Sequence, residues 1–191
     1  MGLEVIGQSA RGLRSPAGNP LLRQTYEPAP LPDGVVIVPQ RVRPDDWGGS
    51  FKEVTRLSDG VAQLPALLER GIQLRPAQIN VSVISPGTRR FWHVHPGQNE
   101  LWTVSYGQLN AGLVDCREHS PTFGLRAKVV LSPETGLYIP AGVAHGYANE
   151  SGALVVLQYL PDRHWTGGED TEEWRIHPDE LPFHFVLAET L

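Results

Sequence analysis

Two histidines and a glutamate stand at spacings that favour metal binding. His93 and His95 are two residues apart in a run of strand-forming residues, and Glu100 follows five residues later. Side chains two apart on a β-strand point to the same face, so the two imidazoles project together. The dipeptide at 96–97, Pro-Gly, predicts a turn that brings Glu100 beside them. Two nitrogen donors and one carboxylate on one face favour a divalent first-row metal ion.

A fourth donor, His145, lies in the segment PAGVAHGYAN at residues 140–149. Four protein donors leave about two positions of an octahedral ion open, which suits substrate or dioxygen binding. A structural zinc site would instead be closed and tetrahedral. The four donors therefore indicate a catalytic ion.

The elements that must position these donors are short strands. After residue 34 the chain shows apolar or alternating runs separated by turn signals, which predicts a sandwich or a barrel. The strand candidates are residues 35–39, 51–57, 77–84, 90–95, 100–106, 109–115, 126–131, 136–140 and 153–160. One helix pattern spans residues 61–71 and ends at a glycine.

Length and composition predict one domain. The chain has 191 residues, which suits a single core. Residues 9–34 are rich in Pro, Gly and Arg, so we expect an irregular N-terminal arm over 1–34 and one domain over 35–191. The acidic run GGEDTEEW near the C-terminus predicts a solvated loop.

Charge and cysteine content bear on partners and location. The net charge of -5 argues against a nucleic-acid partner. No apolar run approaches the roughly 20 residues that cross a membrane, and the N-terminus lacks the features of a secretory signal. The single cysteine, Cys116, allows no internal disulfide, which favours the cytoplasm. We expect a cytoplasmic protein with a small-molecule substrate.

The two donor segments resemble the two cupin motifs. Gly87 to Gly107 follows the pattern glycine, five residues, His-x-His, four residues, Glu, six residues, glycine; residues 140–149 follow Pro-x-Gly, two residues, His, three residues, Asn. Glu134 stands where the second motif has glycine. The resemblance implies an all-β double-stranded β-helix, a jelly-roll barrel, which binds one Fe, Mn, Ni, Cu or Zn ion. Its ligands here would be His93, His95, Glu100 and His145.

From Gly34 to Pro178 the chain also resembles the dTDP-4-dehydrorhamnose 3,5-epimerases, which are themselves cupins. The resemblance is carried by the runs GVVIVPQRV, QINVS, GTRRFWH, LVDCREHSPTFG and IPAGVAHGY. It implies a metal-free reaction: a histidine oriented by an aspartate removes protons beside a keto group, a lysine stabilises the enolate, and a tyrosine returns protons. It also implies a homodimer in which an N-terminal segment is exchanged.

Several family positions are changed. The base histidine falls on His93 and a phosphate-binding arginine on Arg90, but the lysine position falls on Glu100 and the tyrosine position on Gln158. Tyr159 is expected to face the other side of its strand. The segment with the orienting aspartate is expected to be absent, since the chain ends at residue 191. A divalent ion would replace the lysine as the group that stabilises an enolate, and His93 would then be a ligand.

We therefore predict a metal-dependent, epimerase-like cupin enzyme that acts by enolisation on an oxygenated, sugar-like or keto substrate. Gly48, at an arginine position of the family, counts against a nucleotide pyrophosphate. Two alternatives are a mononuclear non-haem dioxygenase using Fe, Mn or Ni, and a non-catalytic small-molecule-binding cupin. Candidates for the general base are Tyr147 and His164. Candidates for substrate contacts are Gln78, Asn80, Arg90, Trp102, Asn149 and Gln158. For Trp102 and Tyr147, barrel-lining core is the competing interpretation.

Overall fold

The computed structural model describes residues 3–5, 16–17, 22–24, 28–164, 166 and 173–176. Over these residues the chain forms sixteen strands and one short helix. The strands are β1 (Leu3–Val5), β2 (Leu22–Gln24), β3 (Val36–Pro39), β4 (Val42–Pro44), β5 (Ser50–Lys52), β6 (Leu57–Ser58), β7 (Val61–Ala62), β8 (Asn80–Ile84), β9 (Arg89–Val94), β10 (Glu100–Tyr106), β11 (Leu109–Asp115), β12 (Arg126–Leu131), β13 (Thr135–Ile139), β14 (Val143–Ala148), β15 (Val155–Pro161) and β16 (Trp174–Arg175); the helix is α1 (Pro65–Leu68).

Two five-stranded antiparallel sheets form the barrel. The first sheet has the order β3-β13-β10-β15-β8, and the second has the order β12-β11-β14-β9-β16. Non-consecutive strands are neighbours in both sheets, as a jelly roll requires. The predicted all-β jelly-roll class is confirmed. Most of the predicted arm lies outside the described residues, but its strands β1 and β2 pair antiparallel, so this part of the arm is regular.

Alternation along the strands builds the interior core. On β10, Trp102 and Val104 point into the barrel, and on β15 Val155 and Leu157 do the same. Their partners in the second sheet come from β11, β12 and β14. Because side chains alternate across a strand, the intervening residues cover the outer faces.

The helix closes the outer face of the first sheet. Leu64 and Leu67 pack there with Leu74 against Leu101 and Tyr138. The predicted helix over residues 61–71 is shortened, because Val61 and Ala62 pair with β6 and Pro65 occupies the first turn. No helix among the described residues has the length and apolar character needed to cross a membrane.

One strand prediction was wrong, and one strand of the barrel was not predicted. The run 51–57 is not one strand, since residues 53–56 leave the ladder and Glu53 pairs with Arg56 at 2.9 Å. β14 was not predicted, because all six of its residues are buried and it therefore has no alternation to detect.

A bulge between β14 and β9 shapes the interior. His145 lies opposite His93, and Tyr147 lies opposite Arg90, so two steps along β14 match three steps along β9. The extra residue on β9 reverses the alternation of its side chains. As a result Arg90 and His93, three residues apart, line the same cavity.

The bulge depends on Gly146. A Cβ atom at this position would lie 2.7 Å from the Arg90 carbonyl oxygen and 3.2 Å from the Phe91 Cα atom. Both obstacles are backbone atoms, so neither can rotate away. The glycine at position 146 therefore allows the β9 backbone to approach β14 closely at this point.

Gly146→Ala is expected to destabilise the fold by about 1–3 kcal/mol, because the added methyl group forces the β9 backbone outward. Urea unfolding monitored by tryptophan fluorescence measures this loss. Gly136→Ala is the matched control: its Cβ meets the Trp102 and Val38 carbonyl oxygens at 3.2 Å in the first sheet. A Gly146→Ala loss no larger than that of Gly136→Ala would contradict the role given to the bulge.

Candidate functional site

A cavity of about 550 Å³ lies between the two sheets. Its walls include β8, β10 and β15 from the first sheet and β9 and β14 from the second. Residues beyond β15 and before β16 complete it, namely Arg163, His164, Thr166 and Glu173. The predicted site residues found in its lining are Gln78, Asn80, Arg90, His93, His95, Glu100, Trp102, His145, Tyr147 and His164.

Three of the four predicted metal ligands come together in this cavity. His95, Glu100 and His145 each offer a ligand atom within 4.8 Å of the other two. The His95 Nε2 atom lies 3.5 Å from Glu100 Oε1, and the His145 Nε2 atom lies 3.7 Å from Glu100 Oε2. The carboxylate thus stands between the two imidazoles.

The tautomer of His145 follows from its partner. Its Nδ1 atom lies 3.1 Å from the Val143 carbonyl oxygen, which can only accept, so Nδ1 carries the hydrogen. Burial lowers the pKa of His145, which favours the neutral ring. The Nε2 lone pair therefore faces the Glu100 carboxylate, and two acceptors oppose each other. A cation between them satisfies both, and a backbone-anchored imidazole is the usual form of a metal ligand.

Glu100 is 4% exposed, and both of its oxygens accept hydrogen bonds. The Trp102 indole N–H donates to Oε2 at 2.6 Å, and the Gln98 side-chain amide donates to Oε1 at 2.7 Å. These neutral donors fix the carboxylate without neutralising its charge. The donor set and its surroundings fit a divalent cation.

His93 stands apart from the three-donor group. Its Nδ1 atom lies 2.7 Å from Glu173 Oε1, and its Nε2 atom is buried without a hydrogen-bond partner among the described residues. Burial lowers the pKa of His93 to about 4, although Glu173 raises it. The neutral ring thus donates Nδ1–H to Glu173 and keeps a lone pair on Nε2. Its assignment as a metal ligand stays a prediction.

Two tyrosines stand in the cavity walls. Tyr147 is buried against Trp102, with ring centroids 6.1 Å apart at 68°, and burial raises the pKa of Tyr147. Tyr159 lies opposite Trp102 in the pairing of β15 with β10 and shares the cavity. Tyr159 faces the opposite side of β15 from Gln158, as predicted, but the register places Tyr159 and not Gln158 on the side of the substrate cavity.

Gln158 and Asn149 lie elsewhere than predicted. Gln158 points to the opposite face of β15, where it lines a separate cavity of about 370 Å³. Asn149 follows the end of β14, and its amide donates to the carbonyls of Ile84 at 2.9 Å and Ala153 at 2.7 Å. These bonds close a turn, so Asn149 supports the fold and does not line the substrate cavity.

Residues 30–180 match the family model of dTDP-4-dehydrorhamnose 3,5-epimerase. The chain belongs to this family. It is 33% identical over 106 residues to the dTDP-4-dehydrorhamnose 3,5-epimerase of Mycobacterium tuberculosis, covering 50% of this chain and 52% of that protein. It is also 33% identical over 86 residues to the spore coat polysaccharide biosynthesis protein SpsL of Bacillus subtilis, covering 41% of this chain and 57% of that one. These alignments thus span little more than half of the curated relatives.

Solved structures in the family share the fold. The dTDP sugar isomerase from Desulfovibrio desulfuricans G20 superposes with a TM-score of 0.67 at 26% identity, covering 84% of this chain and 98% of that one. The epimerase RmlC from Legionella pneumophila, in complex with dTDP-4-keto-L-rhamnose, gives a TM-score of 0.66 at 29% identity. The match covers 82% of this chain and 81% of that one. The epimerase-like framework predicted from the sequence is confirmed.

Glu173 was not predicted from the sequence as a residue of the site. It lies in the acidic run that was predicted to be a solvated loop. Its neighbours Trp174 and Arg175 pair with Val94 and His93 on β9, which carries the carboxylate to the imidazole. The pairing joins segments about eighty residues apart by chain number, and local composition holds no signal for it.

Proposed function

We propose that this protein is a sugar epimerase that acts on a keto sugar by enolisation, with a cation held by His95, Glu100 and His145. The observation that carries the proposal is the position of two distinct groups in one cavity. One is the hydrogen-bonded pair of His93 and Glu173; the other is the three-donor group around Glu100. Family membership supports the sugar substrate, and the Legionella relative was crystallised with a keto sugar nucleotide.

His93 is proposed as the base. Its Nε2 lone pair is available because Nδ1–H is held by Glu173. Nε2 would remove the proton from the carbon beside the keto group, and Glu173 would stabilise the imidazolium that forms. This proposed role would replace the expectation that His93 is a metal ligand. Glu173, directly before β16, would then be the carboxylate partner of the base.

Tyr159 is proposed as the group that returns the proton. It stands on β15 in the first sheet, whereas His93 stands on β9 in the second sheet. Inversion requires that the proton leave from one face of the carbon and return to the other. His93 and Tyr159 lie on opposite walls of the cavity, so each could reach a different face of the carbon. Tyr147 remains the second candidate, because it also lines the cavity and burial raises its pKa, so its hydroxyl stays protonated.

The three donors would hold a divalent cation such as Fe, Mn, Ni, Cu or Zn. When bound, the cation polarises a carbonyl oxygen and stabilises negative charge on it. Glu100 and the two histidines fix its place in the cavity, whereas Arg90 supplies a guanidinium for an anionic group of the substrate. The resemblance gives the stabilising role to a lysine at position 100, where this chain has a carboxylate.

A mononuclear dioxygenase is the second candidate. With His93 paired to Glu173, the remaining donors are two histidines and one carboxylate. That set is the facial triad of non-haem iron oxygenases. Oxygen uptake with an enediol substrate, without solvent-proton exchange, would favour this candidate over the epimerase.

The epimerase is tested by solvent-proton exchange. In D₂O, the wild-type protein is expected to incorporate deuterium beside the keto group of dTDP-4-keto-L-rhamnose, which mass spectrometry and NMR detect. His93→Asn should slow this exchange by at least about 100-fold, since it removes the general base. Tyr159→Phe should keep the exchange but lose inversion, because the proton then returns only to the face from which it left.

Deuterium exchange by His93→Asn at the wild-type rate would contradict the assignment of His93 as the base. The exposed His119→Asn is the matched control, since it changes the same side-chain type outside the cavity and should exchange at the wild-type rate. The exchange rate of Glu173→Gln should lie between those of His93→Asn and His119→Asn. The His93 ring then keeps its place but loses the negative charge that stabilises its imidazolium form.

Cation binding is tested separately. After dialysis against Mn²⁺ or Zn²⁺ and removal of free metal, about one ion per wild-type chain is expected by mass spectrometry of the metal content. Glu100→Gln should lower the affinity by about 10-fold or more, because the anionic donor is lost while the hydrogen-bonding shape is kept. His119→Ala should bind as the wild type does. Wild-type protein that binds no ion would refute the cation site.

A further inference from the structure

We infer that Trp102 is a positioning residue that holds Glu100 and His145 in the arrangement that binds the cation. The inference rests on the proposed function, because it concerns how the same cation site is built. Trp102 was predicted as a candidate for a substrate contact, with barrel-lining core as the competing interpretation. It lines the cavity, its indole N–H donates to Glu100, and its ring packs on His145.

The hydrogen bond to Glu100 is specific in its direction. An indole N–H can only donate, so the atom opposite it must be an acceptor. The distance of 2.6 Å is short for an N–H to oxygen bond, as expected when the acceptor is ionised. Since Gln98 holds the other oxygen at 2.7 Å, the carboxylate cannot rotate without breaking two bonds. Each oxygen keeps a lone pair for a cation.

The ring of Trp102 fixes a second donor. Its centroid lies 5.2 Å from that of the His145 imidazole at an interplanar angle of 83°, an edge-to-face contact. His145 is therefore held by the Val143 carbonyl on one side and by the indole on another. One side chain thus contacts two of the three proposed ligands.

The strand makes this arrangement rigid. Trp102 follows Glu100 by two residues on β10, so both side chains point into the barrel. β10 lies in the middle of the first sheet, and Trp102 is flanked by Leu137 and Tyr159 on the neighbouring strands. The indole belongs to the interior core and is 5% exposed. Core packing thereby sets the position of the donors.

The test compares two tryptophan variants. Trp102→Phe keeps an aromatic ring but removes the N–H donor, and it should weaken Zn²⁺ binding by about 10- to 100-fold in competition with a chromophoric chelator. The visible spectrum of the Co²⁺-loaded variant should also differ from that of the wild type, because the carboxylate is no longer held. Trp92→Phe is the matched control, since Trp92 is buried in the outer cluster of β9, and its Zn²⁺ affinity should match the wild type.

The outcomes separate the two proposals. If the wild type binds Zn²⁺ and Trp102→Phe binds it equally well, the inference on Trp102 is overturned while the cation site stands. Equal losses in both variants would also overturn it, because the effect would then be general to core packing. A wild type that binds no Zn²⁺ would overturn the cation site and the inference together.

A measurement on the wild-type protein covers the case in which Trp102→Phe does not fold. The chain has five tryptophans, so ¹⁵N labelling of tryptophan gives few indole signals. The Trp102 signal, assigned by elimination with phenylalanine variants of the others, should shift when Zn²⁺ binds. Binding of Zn²⁺ without any change in that signal would contradict the inference.

Discussion

A buried carboxylate between two imidazoles is the constraint on which the site depends. Among the described residues, His95 Nε2 and His145 Nε2 lie 3.5 and 3.7 Å from the Glu100 oxygens, and burial lowers the pKa of His145, which favours its neutral form. An anion withdrawn from water is costly unless an opposite charge compensates it. The family resemblance implies a lysine at this position. The proposed cation would supply the positive charge that the Glu100 side chain lacks.

Hydrogen bonds between loops of the barrel hold the three donors in place. Asn99, just before Glu100, donates its backbone and side-chain N–H groups to the Asp162 carboxylate at 2.9 and 2.6 Å. The side-chain oxygen Oδ1 of Asn99 accepts from Ala141 N–H at 3.0 Å, and Gly142 N–H donates to the His95 backbone carbonyl at 2.8 Å. These bonds join the loops that lead to all three donors, so the site is part of the fold and not an addition to its surface.

Much of this could be predicted from the sequence because it follows local rules. The segments now seen as β11 and β12 were predicted with their full bounds, since each has a clear run between turn residues. The donors were found because His-x-His on a strand and a glutamate after a tight turn are local patterns. Family resemblance added the overall framework.

What failed depends on distant parts of the chain. The approach of Glu173 to His93 requires pairing of β16 with β9, and the register of β15 on β10 decides that Tyr159 and not Gln158 faces the substrate cavity. The bulge opposite Gly146 likewise appears only when two strands meet. Periodicity within one strand carries no information about these contacts.

The proposed enzyme combines an epimerase framework with a cation site in which His93 is not a ligand. The most direct test is a crystal of the protein grown with Mn²⁺ or Zn²⁺ and measured at the absorption edge of that metal. We expect one anomalous peak in contact with His95, Glu100 and His145, with His93 still bonded to Glu173. A cavity with no peak under these conditions, or a peak bound to His93 as a fourth ligand, would contradict it.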